Sequence, residues 1–221
     1  MSDNDVADKA GHPPGKNSAS AGGGAQSSKK HSLNRKWCLY VGPCTSTEGT
    51  YWSPKHTLAY EFDTVEDFWC MQHHSHPMSD VDNVDYLLFK KDADDEVYYK
   101  GGRWVLCLQE AEAFDEAWLG SVLPLIGESF ESCGADEVVV GVGFSVNRKG
   151  GGCKVELWIG EPADEEQVLA IGRHYQSTVA SVPKLWEKAS QVMRFEDFSK
   201  HRVVVQLVGP KAAKSTAGIF Q

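Results

Sequence analysis

The sequence has no excess of basic residues and no long hydrophobic run. Its 221 residues include 22 Lys and Arg against 31 Asp and Glu, which gives a formal net charge of -9. Extensive electrostatic binding of a nucleic-acid backbone requires a basic face and is not expected. A few Lys and Arg side chains can still converge in a local pocket. No apolar stretch approaches membrane-spanning length, and the polar N-terminus lacks the pattern of a signal peptide. We therefore expect a cytoplasmic protein.

Motifs for metal binding and catalysis are also missing. The six cysteines include no C-x-x-C pair, and most lie in apolar runs, where reduced Cys behaves as a small hydrophobe. Cys70 stands near His73, His74 and His76, but no second ligand pair follows at zinc-finger spacing. The nucleophile motif G-x-S-x-G and the Walker loop are absent. We expect no enzyme, no metal and no cofactor.

Composition divides the chain into a tail and one domain. Residues 1–32 contain almost nothing apolar and are expected to be a disordered N-terminal tail. Residues 33–221 are numerous enough to bury a sizeable core.

Hydrophobic periodicity predicts an α+β fold. Asp63 and Glu66 form a capping box that predicts a helix reaching about Ser75. Short apolar and alternating runs predict strands at residues 37–41, 57–62, 86–90, 103–108, 137–144, 154–159 and 202–208. Further helical patterns cover residues 114–130, 164–179 and, more weakly, 184–190. Hairpin-like strands with few helices favour an antiparallel sheet with helices packed on one face.

Tryptophan supplies the first candidate binding residue. A buried indole needs a partner for its N–H, and a flat indole at the surface is a good platform for stacking a nucleobase. Trp52 follows a loop-like run, residues 45–50. Two interpretations stay open at this point: Trp52 stacks on a base, or it packs the loop onto the sheet.

Two charged segments are further candidates. Arg148, Lys149 and Lys154 surround three glycines between two strand patterns, and phosphate oxygens favour such donors. A plain basic hairpin tip is the alternative. The acidic run at residues 92–96 offers a carboxylate that can accept two N–H bonds from a guanine edge. A solvated acidic loop is the alternative there.

Taken together, the longer motifs of the chain resemble the eukaryotic translation initiation factor 4E family of mRNA cap-binding proteins, as a divergent paralogue. The similarity runs from His31 to about Ala217. Its main segments are FDTVEDFW at residues 62–69, GGRW at 101–104, LIGESF at 125–130, and IGR-x-Y at 171–175. Chance is a poor explanation for matching runs of this length and rarity.

The resemblance implies a curved antiparallel β-sheet with about three helices on its convex face and a 7-methylguanosine cap on the concave side. Trp52 matches the first tryptophan that sandwiches the methylated base, and Trp158 matches the residue near the N7 methyl group. The phosphate-binding positions match Arg103, Lys149 and Lys154. The cationic base favours electron-rich indoles through stacking and cation–π attraction.

This chain departs from the family pattern in two loops. Between Phe89 and Gly101 the loop is shorter, and the family's second sandwich tryptophan and adjoining Glu are missing as a pair. The candidate replacements are Asp94 or Glu96 for the carboxylate and Tyr98 or Tyr99 for the aromatic ring. In the phosphate loop Asn147 stands where the family has Arg, and Arg148 is the candidate substitute.

The helices carry the second implied site, where a scaffold protein of the initiation factor 4G type docks a short helix. The matching positions are His31, Val65, Trp69, Leu119, Leu123, Ile126 and Gly127. The resemblance thus implies a monomeric protein that binds the mRNA 5′ cap, with or without further methylations, and acts in translation initiation. The alternative is a weak cap binder that competes for or sequesters the scaffold.

Overall fold

An antiparallel sheet organises the chain, and successive residues of each strand face opposite sides of it. The computed structural model describes residues 29–44, 56–93, 100–147, 152–161, 164–182, 185, 189–200 and 202–209. Its strands are β1 (Ser32–Pro43), β2 (Thr57–Thr64), β3 (Val84–Lys90), β4 (Gly102–Leu108), β5 (Val139–Asn147), β6 (Gly152–Ile159), β7 (Ala189–Asp197) and β8 (Arg202–Val208). The spatial order is β2-β1-β3-β5-β6-β4-β7-β8. The predicted α+β fold is confirmed.

Strand β7 is absent from the sequence prediction. The predicted helical stretch at residues 184–190 is wrong at its last two positions, which open β7; residues 183–184 and 186–188 lie outside the described part. Met193 and Phe195 join the main core while Arg194 and Glu196 alternate with them. The alternation of apolar and polar residues was therefore present in the sequence. The polar residues, however, are charged and partly buried by neighbouring strands, which the sequence alone does not locate.

Three helices occur in the described residues: α1 (Val65–His74), α2 (Phe114–Ile126) and α3 (Glu165–Ala180). Helix α1 begins one residue later than predicted, because Thr64 is its N-cap instead of Asp63. The Thr64 hydroxyl accepts a hydrogen bond from the Asp67 backbone N–H at 3.2 Å and donates one to Asp67 Oδ2 at 2.6 Å. Asp67 thus occupies the N3 position expected of Glu66, but its carboxylate accepts from the Thr64 hydroxyl, whereas a capping box uses the N-cap backbone N–H.

Helix α2 ends four residues earlier than its hydrophobic pattern predicts. Gly127 N donates to Leu123 O at 3.0 Å, and Glu128 then adopts left-handed backbone angles with φ of 54°. A short 3-10 turn, Ser129–Cys133, follows. The apolar side chains continue past the helix, so periodicity alone did not locate its end.

The helices cover the convex face of the curved sheet and form the main core with it. Helix α3 approaches the sheet closely at Gly172, where an added Cβ would lie 2.3 Å from Trp104 Cζ2. Trp104 is fully buried, and its indole N–H donates to Val168 O at 3.2 Å. Among the described residues, no helix is both long and apolar enough to cross a membrane.

Candidate functional site

The concave face, opposite the helices, displays one set of alternating residues from the central strands. On β6 these are Lys154, Glu156 and Trp158, while Val155 and Leu157 between them belong to the main core. The alternation follows from the pleat of the strand, and it puts a cation, a carboxylate and an indole in one row about 13 Å long. The sequence run Lys-x-Glu-x-Trp contained this signal for Glu156, which the sequence interpretation passed over.

Trp158 forms the floor of the concave face. Its ring meets Phe89 at a centroid distance of 5.4 Å and Phe198 at 5.2 Å, and it is fully buried in a small second cluster with Leu87 and Val140. Such packing holds the indole rigidly in place.

Gly143 on β5 makes room beside this row. An added Cβ there would lie 3.0 Å from Trp158 Nε1 and 3.1 Å from Glu156 Oε2, both tighter than ordinary contact. A side chain at this position would therefore displace the indole or the carboxylate from the floor.

Arg103 on β4 is held between two carboxylates. Its Nε and Nη2 donate to Glu196 Oε2 at 2.9 and 2.8 Å, and its Nη1 lies 2.9 Å from Glu156 Oε1. The guanidinium carbon is also 5.6 Å from the centroid of the Trp158 ring, within cation–π range. Both ends of the guanidinium fork are thus oriented by acids, the buried Glu156 and the partly buried Glu196.

Two further cations complete the set, which we term the concave ionic network: Arg103, Lys154, Glu156, Arg194 and Glu196. Lys154 Nζ lies 3.5 Å from Glu156 Oε1, and Arg194 Nε donates to Glu196 Oε1 at 2.9 Å. Burial acts to raise the pKa of Glu196, but the Arg103 and Arg194 guanidinium groups outweigh it and hold that pKa below its usual range.

A second buried pair lies near the predicted Trp52 loop. His56 Nε2 is 3.1 Å from Asp85 Oδ2, and both side chains are almost inaccessible to water. Cys44 stands beside them, and burial, reinforced by the Asp85 carboxylate, raises its pKa to about 11. Cys44 and His56 flank residues 45–55, so this cluster anchors the two ends of that segment. Sequence reasoning missed His56 and Asp85, which carry no motif.

Several predicted site residues lie outside the described residues: Trp52, Asp94, Glu96, Tyr98, Tyr99, Arg148 and Lys149. The strand register nevertheless locates the ends of their segments. Pro43 pairs with Val84, which pairs with Val146, so the segments after β1 and β5 leave from one end of the sheet. Gly102 pairs with Ile159, so the segment before β4 joins the opposite end. The structure therefore brings together Arg103, Lys154 and Trp158, and the roles of all ten residues stay predictions.

The helices present a second surface, formed by Val65, Trp69, Leu119, Leu123, Ile126 and Gly127, which we term the dorsal surface. Trp69 and Leu123 are 37% and 40% exposed, high values for large apolar side chains. Leu119 and Ile126 are partly buried against the main core. The Trp118 indole N–H donates to Gln72 Oε1 at 3.0 Å and so links α2 to α1.

His31, also predicted for partner binding, braces the start of α1. Its carbonyl accepts the Val65 N–H at 2.9 Å, and its Nδ1 lies 2.6 Å from Glu66 Oε1. The imidazole remains 80% exposed. His31 thus supports the edge of the dorsal surface from the chain entering β1.

Fold and site together define an α+β binding protein, with an aromatic floor and ionic groups on the concave side and apolar side chains exposed on the helices. The sequence model described as eukaryotic initiation factor 4E matches residues 32–207. Eukaryotic translation initiation factor 4E of Bos taurus is 35% identical over 164 residues, covering 71% of this chain and 73% of that protein. The chain belongs to the eukaryotic initiation factor 4E family.

Solved structures agree with this assignment. The Ascaris suum eIF4E-3, in complex with m7G cap, is 26% identical with a TM-score of 0.66, covering 81% of this chain and 98% of that one. The C. elegans eIF4E-3, in complex with the 4E-binding protein Mextli and cap analog, is 25% identical with a TM-score of 0.65, covering 81% and 100%.

Proposed function

We propose that this protein binds the 7-methylguanosine 5′ cap of mRNA on its concave face and acts in cytoplasmic translation initiation without catalysing a reaction. The observation that carries the proposal is the row of Lys154, Glu156 and Trp158, with Arg103 beside it. An indole floor and cations on one face suit a base joined to phosphates. The solved relative from Ascaris suum was captured with m7G cap.

In this proposal the base lies toward Trp158 and the phosphates lie toward Lys154. Trp52 stacks on the base, and Asp94 or Glu96 accepts its N–H groups. Tyr98 or Tyr99 supplies the second ring. Arg148 and Lys149 extend the phosphate site from the segment between β5 and β6.

The test is a tryptophan-fluorescence titration of the full chain with 7-methyl-GTP and with GTP. We expect saturable quenching that favours the methylated nucleotide and is lost in Trp52→Ala. Trp69→Ala is the matched control, since it removes one indole from the dorsal surface and should leave the titration intact. Equal affinity for the two nucleotides would contradict methyl-cap recognition.

We further propose that the dorsal surface docks a scaffold of the initiation factor 4G type through a short amphipathic helix. The exposure of Trp69 and Leu123 supports it. A Tyr-x4-Leu-Φ peptide should bind the wild type but not Trp69→Ala, as measured by calorimetry. Leu58→Ala removes an exposed apolar side chain outside the dorsal surface, on β2, and should bind the peptide normally.

A second candidate is a weak cap binder that sequesters the scaffold. It is favoured by the pairing of Arg103 and Lys154 with internal carboxylates, which compete with ligand phosphates. Addition of the protein to a cap-dependent translation extract separates the candidates. An initiation factor restores translation in a depleted extract, whereas a sequestering protein lowers it, and only its Trp69→Ala variant loses that inhibition.

A further inference from the structure

The concave face carries a buried acid that a phosphate-binding site does not need. Glu156 is 1% exposed, lies midway between Lys154 and Trp158, and has no role in the cap site as proposed above. A buried carboxylate is costly unless it is paired. Glu156 meets this requirement by contacting Arg103 at 2.9 Å and Lys154 at 3.5 Å, two of the cations that ligand phosphates would otherwise approach.

The charges of the concave ionic network and of the neighbouring Asp85 cancel. Three cations, Arg103, Lys154 and Arg194, face the two carboxylates of the concave ionic network, and Asp85 adds a third negative group beside its partner His56. Each phosphate placed near Lys154 is therefore attracted by the cations and repelled by acids a few ångströms further. Among these groups, the buried pair of Arg103 and Glu156 is screened least by salt.

We propose that Glu156 determines phosphate selectivity: it limits the affinity that the concave face gains from each added phosphate, so that the face selects its ligand by the base. The inference rests on the proposed cap-binding function, and it specifies the ligand class as a methylated purine nucleotide with a weak dependence on phosphate number. Glu156 acts through Arg103 and Lys154 and is a specificity-determining residue that need not touch the base.

The electrostatic reason is the position of Glu156 between the two cations. Removing its charge while keeping its shape would leave Lys154 without its acidic neighbour on β6. Arg103 would keep Glu196 and hence its orientation. The freed attraction would act on the phosphates, because Coulomb energy scales with the charge of each group. The cationic base would lose some attraction to Glu156, but by the same amount for a monophosphate and a triphosphate, so this loss cancels from their affinity ratio.

The experiment measures Kd of the full chain for 7-methyl-GMP and 7-methyl-GTP. In the wild type we expect the triphosphate to bind less than about tenfold tighter than the monophosphate. In Glu156→Gln we expect that ratio to grow by about tenfold, mainly through tighter triphosphate binding. Glu137→Gln is the matched control, because it changes the net charge equally at an exposed side chain and should leave the ratio unchanged.

Inorganic tripolyphosphate separates this inference from the proposed function. If neither methylated nucleotide binds, the cap proposal fails, while tighter tripolyphosphate binding by Glu156→Gln than by the wild type still supports the role of Glu156. An unchanged ratio in a folded Glu156→Gln, with no gain for tripolyphosphate, overturns the inference. If Glu156→Gln does not fold, the wild-type protein alone provides the test. A preference of about a hundredfold or more for 7-methyl-GTP over 7-methyl-GMP then refutes the proposal.

Discussion

Arg103 and Trp158 lie directly opposite each other across β4 and β6, with the guanidinium carbon 5.6 Å from the indole centroid. One side of the indole is thus next to a cation, and the rings of Phe89 and Phe198 pack against it at steep angles. Under the proposed function, a methylated, cationic base would lie over a fully buried indole whose position is already determined, and beside an arginine already neutralised by acids. The geometry favours binding through side chains that are already in position, and not through a strong net electrostatic field.

Trp158 should matter for both stability and binding. Replacing Trp158 with Ala leaves a cavity among Phe89, Leu87 and Phe198, and we expect a loss of about 3–5 kcal/mol in the free energy of unfolding. Trp158→Phe keeps part of the packing and should lose less stability. Denaturant unfolding measures the first effect, and 7-methyl-GTP titration measures ligand affinity in whichever variants remain folded. Equal stability of the Ala variant and the wild type would contradict the packing described here.

The start of helix α1 offers a test of the observed cap against the predicted one. Thr64→Ala removes the hydroxyl that accepts the Asp67 N–H, and we expect a loss of about 1 kcal/mol of stability. Asp63→Ala, at the position that sequence analysis named as the cap, should change stability by less than about half that amount. If thermal denaturation showed a larger loss of stability for Asp63→Ala than for Thr64→Ala, Asp63 would be the N-cap, as the sequence analysis predicted.

Glu196 should make the concave ionic network dependent on pH. Its pKa is lowered in the folded protein, so its ion pairs stabilise fully above the unfolded carboxyl value of about 4.3 and are lost as pH falls through the folded-state pKa. We expect Glu196→Gln to cost about 2–4 kcal/mol at neutral pH, because it leaves two guanidinium groups with one acid fewer.

The sign of this effect is checked by unfolding the wild type and Glu196→Gln between pH 7 and pH 3. Their difference in stability should be constant at the upper end and shrink below about pH 4. A difference that instead grew on acidification would mean that the carboxyl group is not stabilised by Arg103 and Arg194.

Gly172 tests how closely α3 packs on the sheet. A Cβ at this position would lie 2.3 Å from Trp104, so we expect Gly172→Ala to destabilise the protein by about 1–3 kcal/mol despite the better helix propensity of Ala. Gly120→Ala on α2 is a useful comparison, since its new Cβ would approach only Val182, at 2.7 Å from Cγ2, and this side chain is smaller and less buried than Trp104. The smaller loss is expected there.

Local patterns predicted a large part of this fold. Alternating residues located seven strands, and Asp164 with the stripe Val168, Ile171 and Tyr175 located α3 almost to the residue, because each signal depends on neighbours in the chain. Strand β7 was missed because its polar residues, Arg194 and Glu196, are partly buried by pairing with groups on β4. The family resemblance supplied the curvature of the sheet and the candidate residues of the dorsal surface, which periodicity could not.

Sequence alone was sufficient for the class of fold, the family, and the residue types available for a base and its phosphates. The three-dimensional arrangement added what those residues do to each other. Arg103 and Lys154 were predicted as phosphate ligands, yet β4, β6 and β7 bring Glu156 and Glu196 against them. Such pairings join residues as many as 93 positions apart, so they exist only once the strands are in register. The neutralisation of Arg103 is a property of that register, and no local pattern in the chain encodes it.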